Sequence, residues 1–260
     1  FTAANADWLD EYALFMALKD ENGGAPWYEW EKEISMHRPK AVAAAKKQLK
    51  NQIGFYKFLQ FEFSRQWGEL KKYANRSGIE IVGDIPIYCA LDSVEAWSDH
   101  RLFWFDRKRR PVCVAGCPPD VFSPTGQLWG NPLYDWDYHK KTGYKWWIGR
   151  IQKACELYDI VRIDHFRGFE SYYTIPYGNE DATVGEWKKG PNAELFRKAE
   201  EKLGKLNIIA EDLGFLTEEV HEMLAECGYP GMKVLQFGFS DGENGYLPHN
   251  FTTTNCFAYT

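Results

Sequence analysis

The chain has 260 residues, a formal net charge of −6 and a hydrophobic fraction of 45%. These values are ordinary for a soluble globular protein and allow one large domain or two small ones. The acidic balance gives no reason to expect nucleic acid or an anionic membrane as a partner, and no apolar run approaches the length of a membrane span.

Aromatic residues make up an unusual 17% of the chain, and 11 of them are Trp. A heavily aromatic core accounts for most such rings, whereas exposed rings would stack on a flat apolar ligand face such as that of a sugar. Composition alone favours the core.

The cysteines are scattered along the sequence and form no CxxC pair. Cys113 and Cys117 are four residues apart, but no His or Cys cluster follows to complete a zinc site. Scattered thiols without a signal peptide are typical of a cytosolic protein, so we expect a cytoplasmic location and neither a metal ion nor another cofactor.

The first third of the chain shows helical patterns. Residues 7–19 carry apolar side chains at helical spacing, with Asp7 as a candidate cap and glycines after the end. A longer pattern starts at Pro39 and continues to Ala74, as one helix or two. We expect its aromatic rings to lie in the core.

From residue 79 onward, strand and helix patterns alternate. Residues 98–140 interrupt them with a stretch rich in Pro, Gly, Trp and Asp, which is too long for a simple connection and predicts a functional loop or insertion. The predicted strands cover 79–88, 159–164, 206–212, 232–239 and 255–260, and the predicted helices cover 143–158, 192–203 and 217–228.

This alternation indicates a parallel sheet. Three consecutive strands end in an acidic residue, namely Asp84, Asp164 and Glu211. Both (β/α)8 barrels and doubly wound sheets carry their ligands at the carboxyl ends of such strands. The repeated pattern of an apolar strand with a terminal carboxylate favours the barrel.

The stretch VRIDHFRG, residues 161–168, places Arg162 and Asp164 two residues apart on one predicted strand. Residues at this spacing share a face, so both side chains should point into the mouth of the barrel while Val161 and Ile163 pack beneath helices. An arginine beside an aspartate favours the ionised carboxylate, which suits a nucleophile. The alternative is a purely structural Arg–Asp pair.

Glu211 follows the apolar run Ile208–Ala210, and a carboxyl in such a setting has a raised pKa and can act as a general acid. One ionised and one protonated carboxyl cleave glycosides, with retention if they lie about 5–5.5 Å apart. A second reading is a Mg²⁺ site built from the three strand-end acids. Arg162 disfavours it, because a guanidinium repels a metal ion.

The loop SPTGQLWGNPLYDW, residues 123–136, contains further binding candidates. Gly126 and Gly130 let the chain turn, Gln127 can hydrogen-bond hydroxyls, and Trp129 can stack on a sugar ring. The alternative is an Ω-loop with Trp129 as its own small core.

Together these motifs resemble the 4-alpha-glucanotransferases, the amylomaltases and plant disproportionating enzymes of the alpha-amylase clan. The resemblance spans most of the chain after about residue 79. It rests on the segments GDIPIY (83–88), VAGCPPDVFSPTGQLWGNPLYDW (114–136), VRIDHFRGFESYY (161–173), IIAEDLGFLTEEV (208–220) and GYPGMKVLQFGF (228–239).

The resemblance implies disproportionation of α-1,4-glucans by double displacement, with maltooligosaccharides as donors and acceptors. Asp164 would be the nucleophile, Glu211 the general acid and base, and Arg162 the residue that orients Asp164. The residues assigned to substrate binding are Asp84, Gly126, Gln127, Trp129, Asn131 and His165. Hydrolysis of the same bonds is the runner-up, because it needs the same catalytic residues. A non-catalytic glucan-binding relative would be expected to lack Asp164 or Glu211.

The implied fold is α/β, a (β/α)8 TIM barrel with helical and loop insertions, present here only as a partial barrel. Residues 1–260 would belong to one catalytic domain, divided into a helical segment (1–77), a strand and loop start (78–97), a substrate loop (98–140) and further βα units (141–260). The family's third acid, in a His-Asp motif just after a Tyr-Thr, is absent. The family's first barrel strands with its N-terminal region, and its last strands, are absent as well. We therefore expect residues 1–260 alone to be inactive.

Overall fold

The computed structural model describes residues 1–120, 123–214, 216–239 and 245–260. These residues form two compact units. The first unit comprises Phe1–Arg76, Tyr88–Asp135 and Ile175–Val184, and the second comprises Ser77–Ile87, Trp136–Thr174 and Gly185–Thr260.

The first unit is mainly helical. Its core is aromatic: the ring centroids of Phe15, Trp30 and Trp97 lie 5.4 to 5.8 Å apart, and all three side chains are buried. For these rings the core interpretation is confirmed. The helices and strands of this unit are α1 (Ala6–Glu21), α2 (Lys32–Ser35), α3 (Pro39–Gln48), α4 (Lys50–Arg76), α5 (Val94–Ser98), β2 (Cys113–Cys117) and β3 (Gln127–Pro132).

Helix α4 corrects the prediction that its rings lie in the core. No residue of α4 is buried, and Phe55, Phe63 and Leu70 are 55%, 48% and 53% exposed. Helical periodicity shows which side chains share a face, but it does not show what packs against that face. The long pattern is two helices, because α3 ends before Leu49 and α4 begins after it.

The predicted loop at 98–140 contains strands that the sequence reading missed. β2 and β3 pair antiparallel, with an irregular register between Val114 and Gly116. Their short, Gly- and Pro-containing segments lack the alternation that predicts a strand.

The second unit contains the predicted parallel sheet. Its strands lie in the order β1-β4-β7, and every pairing between them is parallel. The elements of this unit are β1 (Val82–Pro86), α6 (Trp136–Lys141), α7 (Lys145–Leu157), β4 (Ile160–Asp164), β5 (Ser171–Pro176, whose last two residues belong to the first unit), β6 (Glu186–Lys189), α8 (Glu194–Leu203), β7 (Ile208–Ala210), α9 (Glu218–Cys227), β8 (Gly231–Val234) and β9 (Cys256–Tyr259).

The strand predicted over 232–239 is only partly a strand. β8 ends at Val234, and Leu235–Phe239 form a 3-10 helix. Among the described residues, β8 pairs in parallel with β9 from Gly231↔Cys256 to Val234↔Tyr259, and this pairing ends where the 3-10 helix begins. The predicted strand at the end of the chain, β9, is confirmed.

Antiparallel pairings also occur among the described residues, so the fold is mixed α/β. β5 and β6 pair antiparallel through Ser171↔Lys189 to Thr174↔Glu186, which the sequence reading also missed. Within the part of the chain that the structure describes, no helix combines the length and apolar character that a membrane crossing requires.

Gly83 provides a stability prediction, because β1 packs there directly against Tyr158. A Cβ at Gly83 would lie 2.0 Å from Cδ2 of Tyr158. Gly83→Ala should therefore lower the free energy of unfolding of the complete protein by about 1–3 kcal/mol, as overpacked cores do. Urea unfolding followed by tryptophan fluorescence measures this change.

Gly54→Ala is the matched control, since Gly54 lies on the exposed surface of α4 and no described atom would approach its Cβ within 4 Å. This substitution should raise the free energy of unfolding by about 0.5–1 kcal/mol. Equal effects of the two alanines would show that the contact between Gly83 and Tyr158 does not limit packing.

Candidate active site

The predicted pairing of Arg162 and Asp164 is present in the second unit. Arg162 donates from Nη2 to Oδ1 of Asp164 at 2.8 Å, and from Nη1 to Oδ2 of Asp84 at 2.7 Å. Val161 and Ile163, which alternate with them on β4, are 1% and 0% exposed. The two faces of β4 therefore divide as predicted, and one guanidinium bridges two carboxylates.

The prediction that Asp84 ends its strand is wrong. β1 continues to Pro86, and the register places Asp84 opposite Arg162 and Pro86 opposite Asp164. Pro86 is accommodated because β1 lies at the edge of the described sheet. The carboxylate of Asp84 is 57% exposed and that of Asp164 is 45% exposed, whereas Arg162 is 24% exposed.

Glu211 is held by the backbone directly after β7. Its Oε2 accepts the N–H of His165 at 2.7 Å, and its Oε1 accepts the N–H of Leu213 at 2.9 Å. Burial raises the pKa of Glu211, and these two hydrogen bonds oppose the rise without cancelling it. The negative charge of Asp164 adds to the rise and the positive charge of Arg162 opposes it. The predicted raised pKa of this carboxyl is confirmed.

His165 adopts a left-handed backbone conformation, with φ of 53°. This conformation is uncommon for a residue with a side chain, and here it lies in the turn whose N–H meets Glu211. Burial, followed by the charge of Arg167, lowers the pKa of the His165 ring to about 4, so the ring is neutral at pH 7. The contact between the two residues is thus made by the backbone N–H of His165, which donates to the carboxylate of Glu211.

The predicted loop residues lie in the first unit. Trp129 is 36% exposed on β3, and its Nε1 donates to Oε1 of Gln127 at 3.0 Å. Because Trp129 sits half-exposed on a strand, with Tyr88 at a ring distance of 6.2 Å, it does not form the core of an Ω-loop.

Two further loop residues shape the backbone around β3. Gly126 has φ of 68°, and a Cβ there would lie 2.4 Å from the carbonyl oxygen of Cys117. Asn131 donates from Nδ2 to the carbonyl oxygen of Cys89 at 2.8 Å. In this structure both residues fix the path of the chain.

The sequence reading missed Met232, the third partner of Arg162. The Nε–H of Arg162 donates to Sδ of Met232 at 3.3 Å. A methionine in an apolar strand carries no signal for such a contact. Within the described ranges, no group of three or more His, Cys, Asp or Glu side chains is arranged to hold a metal ion.

Comparison with known proteins adds a family to this geometry. The model of the 4-alpha-glucanotransferase family matches residues 1–260. A 4-alpha-glucanotransferase of Clostridium butyricum is 51% identical over 255 residues, which cover 97% of this chain and 52% of that protein. A 4-alpha-glucanotransferase of Thermus thermophilus is 50% identical over 252 residues, which cover 96% and 50%.

A solved structure shows the same likeness. The amylomaltase from Streptococcus agalactiae in complex with acarbose has a TM-score of 0.94 and 45% identity, covering 98% of this chain and 52% of that one. The mixed α/β fold described above is therefore similar to that of this amylomaltase. The chain spans about half the length of these relatives.

Proposed function

The chain belongs to the 4-alpha-glucanotransferase family, and from this premise we propose that the complete protein transfers α-1,4-glucan segments between maltooligosaccharides with retention of configuration. The observation that carries the proposal is the contrast between two carboxyls of the second unit. Asp164 is paired with Arg162, while Glu211 is half-buried and has a raised pKa.

Each carboxyl has its own part in the proposed reaction. In the first step Asp164 attacks the anomeric carbon of the donor, the bond to the leaving 4-oxygen breaks, and Glu211 gives that oxygen its proton. In the second step the carboxylate of Glu211 takes the proton of an acceptor 4-hydroxyl, whose oxygen displaces Asp164 from the anomeric carbon. A retaining reaction of this kind predicts a carboxyl separation of about 5–5.5 Å.

The roles of the remaining predicted residues follow from this chemistry. Arg162 orients Asp164 and balances its charge, while Asp84, Gly126, Gln127, Trp129, Asn131 and His165 form or support the glucan site. The ligands are α-1,4-glucans and maltooligosaccharides, and the proposed reaction requires neither a metal ion nor another cofactor.

We further propose that the parallel sheet β1-β4-β7 is part of a (β/α)8 barrel in one catalytic domain, to which β8 adds a further strand. The parallel order and the site at the carboxyl ends of β4 and β7 support this fold. The scattered spacing of the cysteines, without a CxxC pair in the sequence, supports a cytoplasmic location. Residues 1–260 alone should lack transfer activity, and transfer by this purified piece would refute that.

Incubation of the complete protein with maltotriose tests the function. We expect glucose together with a ladder of longer maltooligosaccharides, resolved by chain length and unchanged by EDTA. Glucose and maltose without longer chains would instead identify a hydrolase. Loss of the ladder in EDTA would contradict the metal-free mechanism.

Trp129 provides a prediction about the choice between sugar and water. Loss of ring stacking in Trp129→Ala should lower the ratio of transfer to hydrolysis by about fivefold, because stacking on a ring contributes roughly 1 kcal/mol beyond its buried area. Leu128→Ala is the matched control, since Leu128 is 38% exposed next to Trp129 on β3. Equal ratios of transfer to hydrolysis for the two variants would show that Trp129 is not part of the acceptor site.

A further inference from the structure

Among the described residues, the guanidinium of Arg162 has three different acceptors, one for each nitrogen. Two are the carboxylates of Asp84 and Asp164, and the third is the sulfur of Met232, at 3.3 Å from Nε. A guanidinium is planar, so an acceptor at Nε restricts rotation of the plane that carries the other two donors. The Met232 contact therefore restricts the orientation of the Arg162 guanidinium relative to Asp164.

Met232 is itself fixed on β8. Its backbone N–H donates to Oδ1 of Asp212 at 2.7 Å, and its side chain is 4% exposed. The preceding residue, Gly231, makes room for this contact, because a Cβ there would lie 2.2 Å from Oδ2 of Asp212. The N–H of Ala210 also donates to the carbonyl oxygen of Pro230 at 2.9 Å, which joins the end of β7 to the start of β8.

The chemistry of the thioether suits this position. A thioether sulfur is a weak, uncharged acceptor, so it pairs with the Nε–H without adding a third negative charge beside Arg162. A carboxylate at the same place would compete with Asp164 for the positive charge. An apolar side chain would leave a half-buried guanidinium N–H without an acceptor there.

We propose that Met232 is a positioning residue for the transfer reaction, whose sulfur accepts the Nε–H of Arg162 and thereby fixes the guanidinium against Asp164. This inference rests on the proposed function. It concerns a residue that acts through Arg162 and does not itself meet the sugar.

Two substitutions separate this role from simple packing. Met232→Leu keeps the volume and removes the acceptor, whereas Met232→Gln keeps the length and restores an acceptor through its amide oxygen. We expect Met232→Leu to lower kcat about tenfold with little change in KM, and Met232→Gln to recover most of the loss. A packing role gives the opposite order, because a core accepts Leu better than Gln.

Met223 provides the matched control, since it is 1% exposed on α9 in the same unit. Met223→Leu should leave kcat unchanged. Met223→Gln should lower the thermal midpoint and leave kcat per folded molecule unchanged. Thermal midpoints of all variants allow rates to be compared at equal folded fraction.

A double-mutant cycle in the complete protein completes the test. Arg162→Lys removes the Nε donor, so Met232→Leu should have no further effect on kcat in that background. Additive effects, or a Leu variant as fast as the wild type, would overturn the positioning role while the maltotriose ladder of the wild type stays intact. Absence of a ladder in the wild type would overturn the proposed function, and the role of Met232 with it.

Discussion

Asp164→Asn should abolish glucan transfer, with a fall in kcat of about 10⁴-fold or more. The amide keeps the size of the side chain and removes the carboxylate proposed as the nucleophile, which accepts a hydrogen bond from Arg162 at 2.8 Å. Chain-length analysis of maltotriose digests measures the loss. Asp137→Asn, an exposed aspartate in the first turn of α6, should retain the wild-type rate.

Chemical rescue makes this prediction specific to a nucleophile. Asp164→Gly leaves space where the carboxylate stood, and azide entering there would attack the anomeric carbon of an activated α-linked donor. The expected product is a glycosyl azide of inverted, β configuration, because only one displacement occurs. Recovery of retained products without azide would show that Asp164 supports the structure and does not attack the sugar.

Glu211→Gln should lower kcat for maltotriose by about 10²–10⁴-fold, the usual contribution of general acid–base catalysis. Part of the loss will come from geometry, since both oxygens of Glu211 accept backbone N–H groups and the Gln NH₂ cannot. A maltotriosyl fluoride donor separates the two causes. Fluoride leaves without protonation, so the first step should largely recover while the second step stays slow.

The pH dependence follows from the raised pKa of Glu211. The acid form persists to higher pH than for an ordinary glutamate, and glycosylation by maltotriose should slow as pH rises through this pKa. The Gln variant with the fluoride donor should lack that alkaline limb. Glu222→Gln, at an exposed position of α9, should keep it. An alkaline limb that survives in Glu211→Gln would assign the titration to another group.

The sequence predicted the part of the site that depends on strand periodicity. Alternation along β4 placed Arg162 and Asp164 on one face, and the apolar run before Glu211 predicted its raised pKa. Both depend on local order along a strand, which sequence encodes directly. The helix on residues 217–228 was also predictable from the sequence, because a glycine after a helical pattern indicates where the helix ends. In the structure Gly228 ends α9 with φ of 69°.

Features that depend on contacts between residues far apart in the chain could not be predicted from the sequence. The rings of α4 looked like core because their spacing is helical, yet they are exposed in the described structure. The segments of β2 and β3, which pair antiparallel, lack the alternation of apolar and polar residues that would predict strands. The contact between Arg162 and Met232 joins residues 70 positions apart, and the hydrogen bond to Glu211 depends on the left-handed turn at His165.

Trapping the glycosyl-enzyme tests the proposed mechanism most directly. The Glu211→Gln variant of the complete protein would be mixed with maltotriosyl fluoride, quenched in acid, digested and analysed by mass spectrometry. We expect a maltotriosyl adduct on the peptide that contains Asp164, and no adduct when Asp164→Asn is added. An adduct on another residue, or turnover without any adduct and with inverted products, would contradict retaining transfer through Asp164.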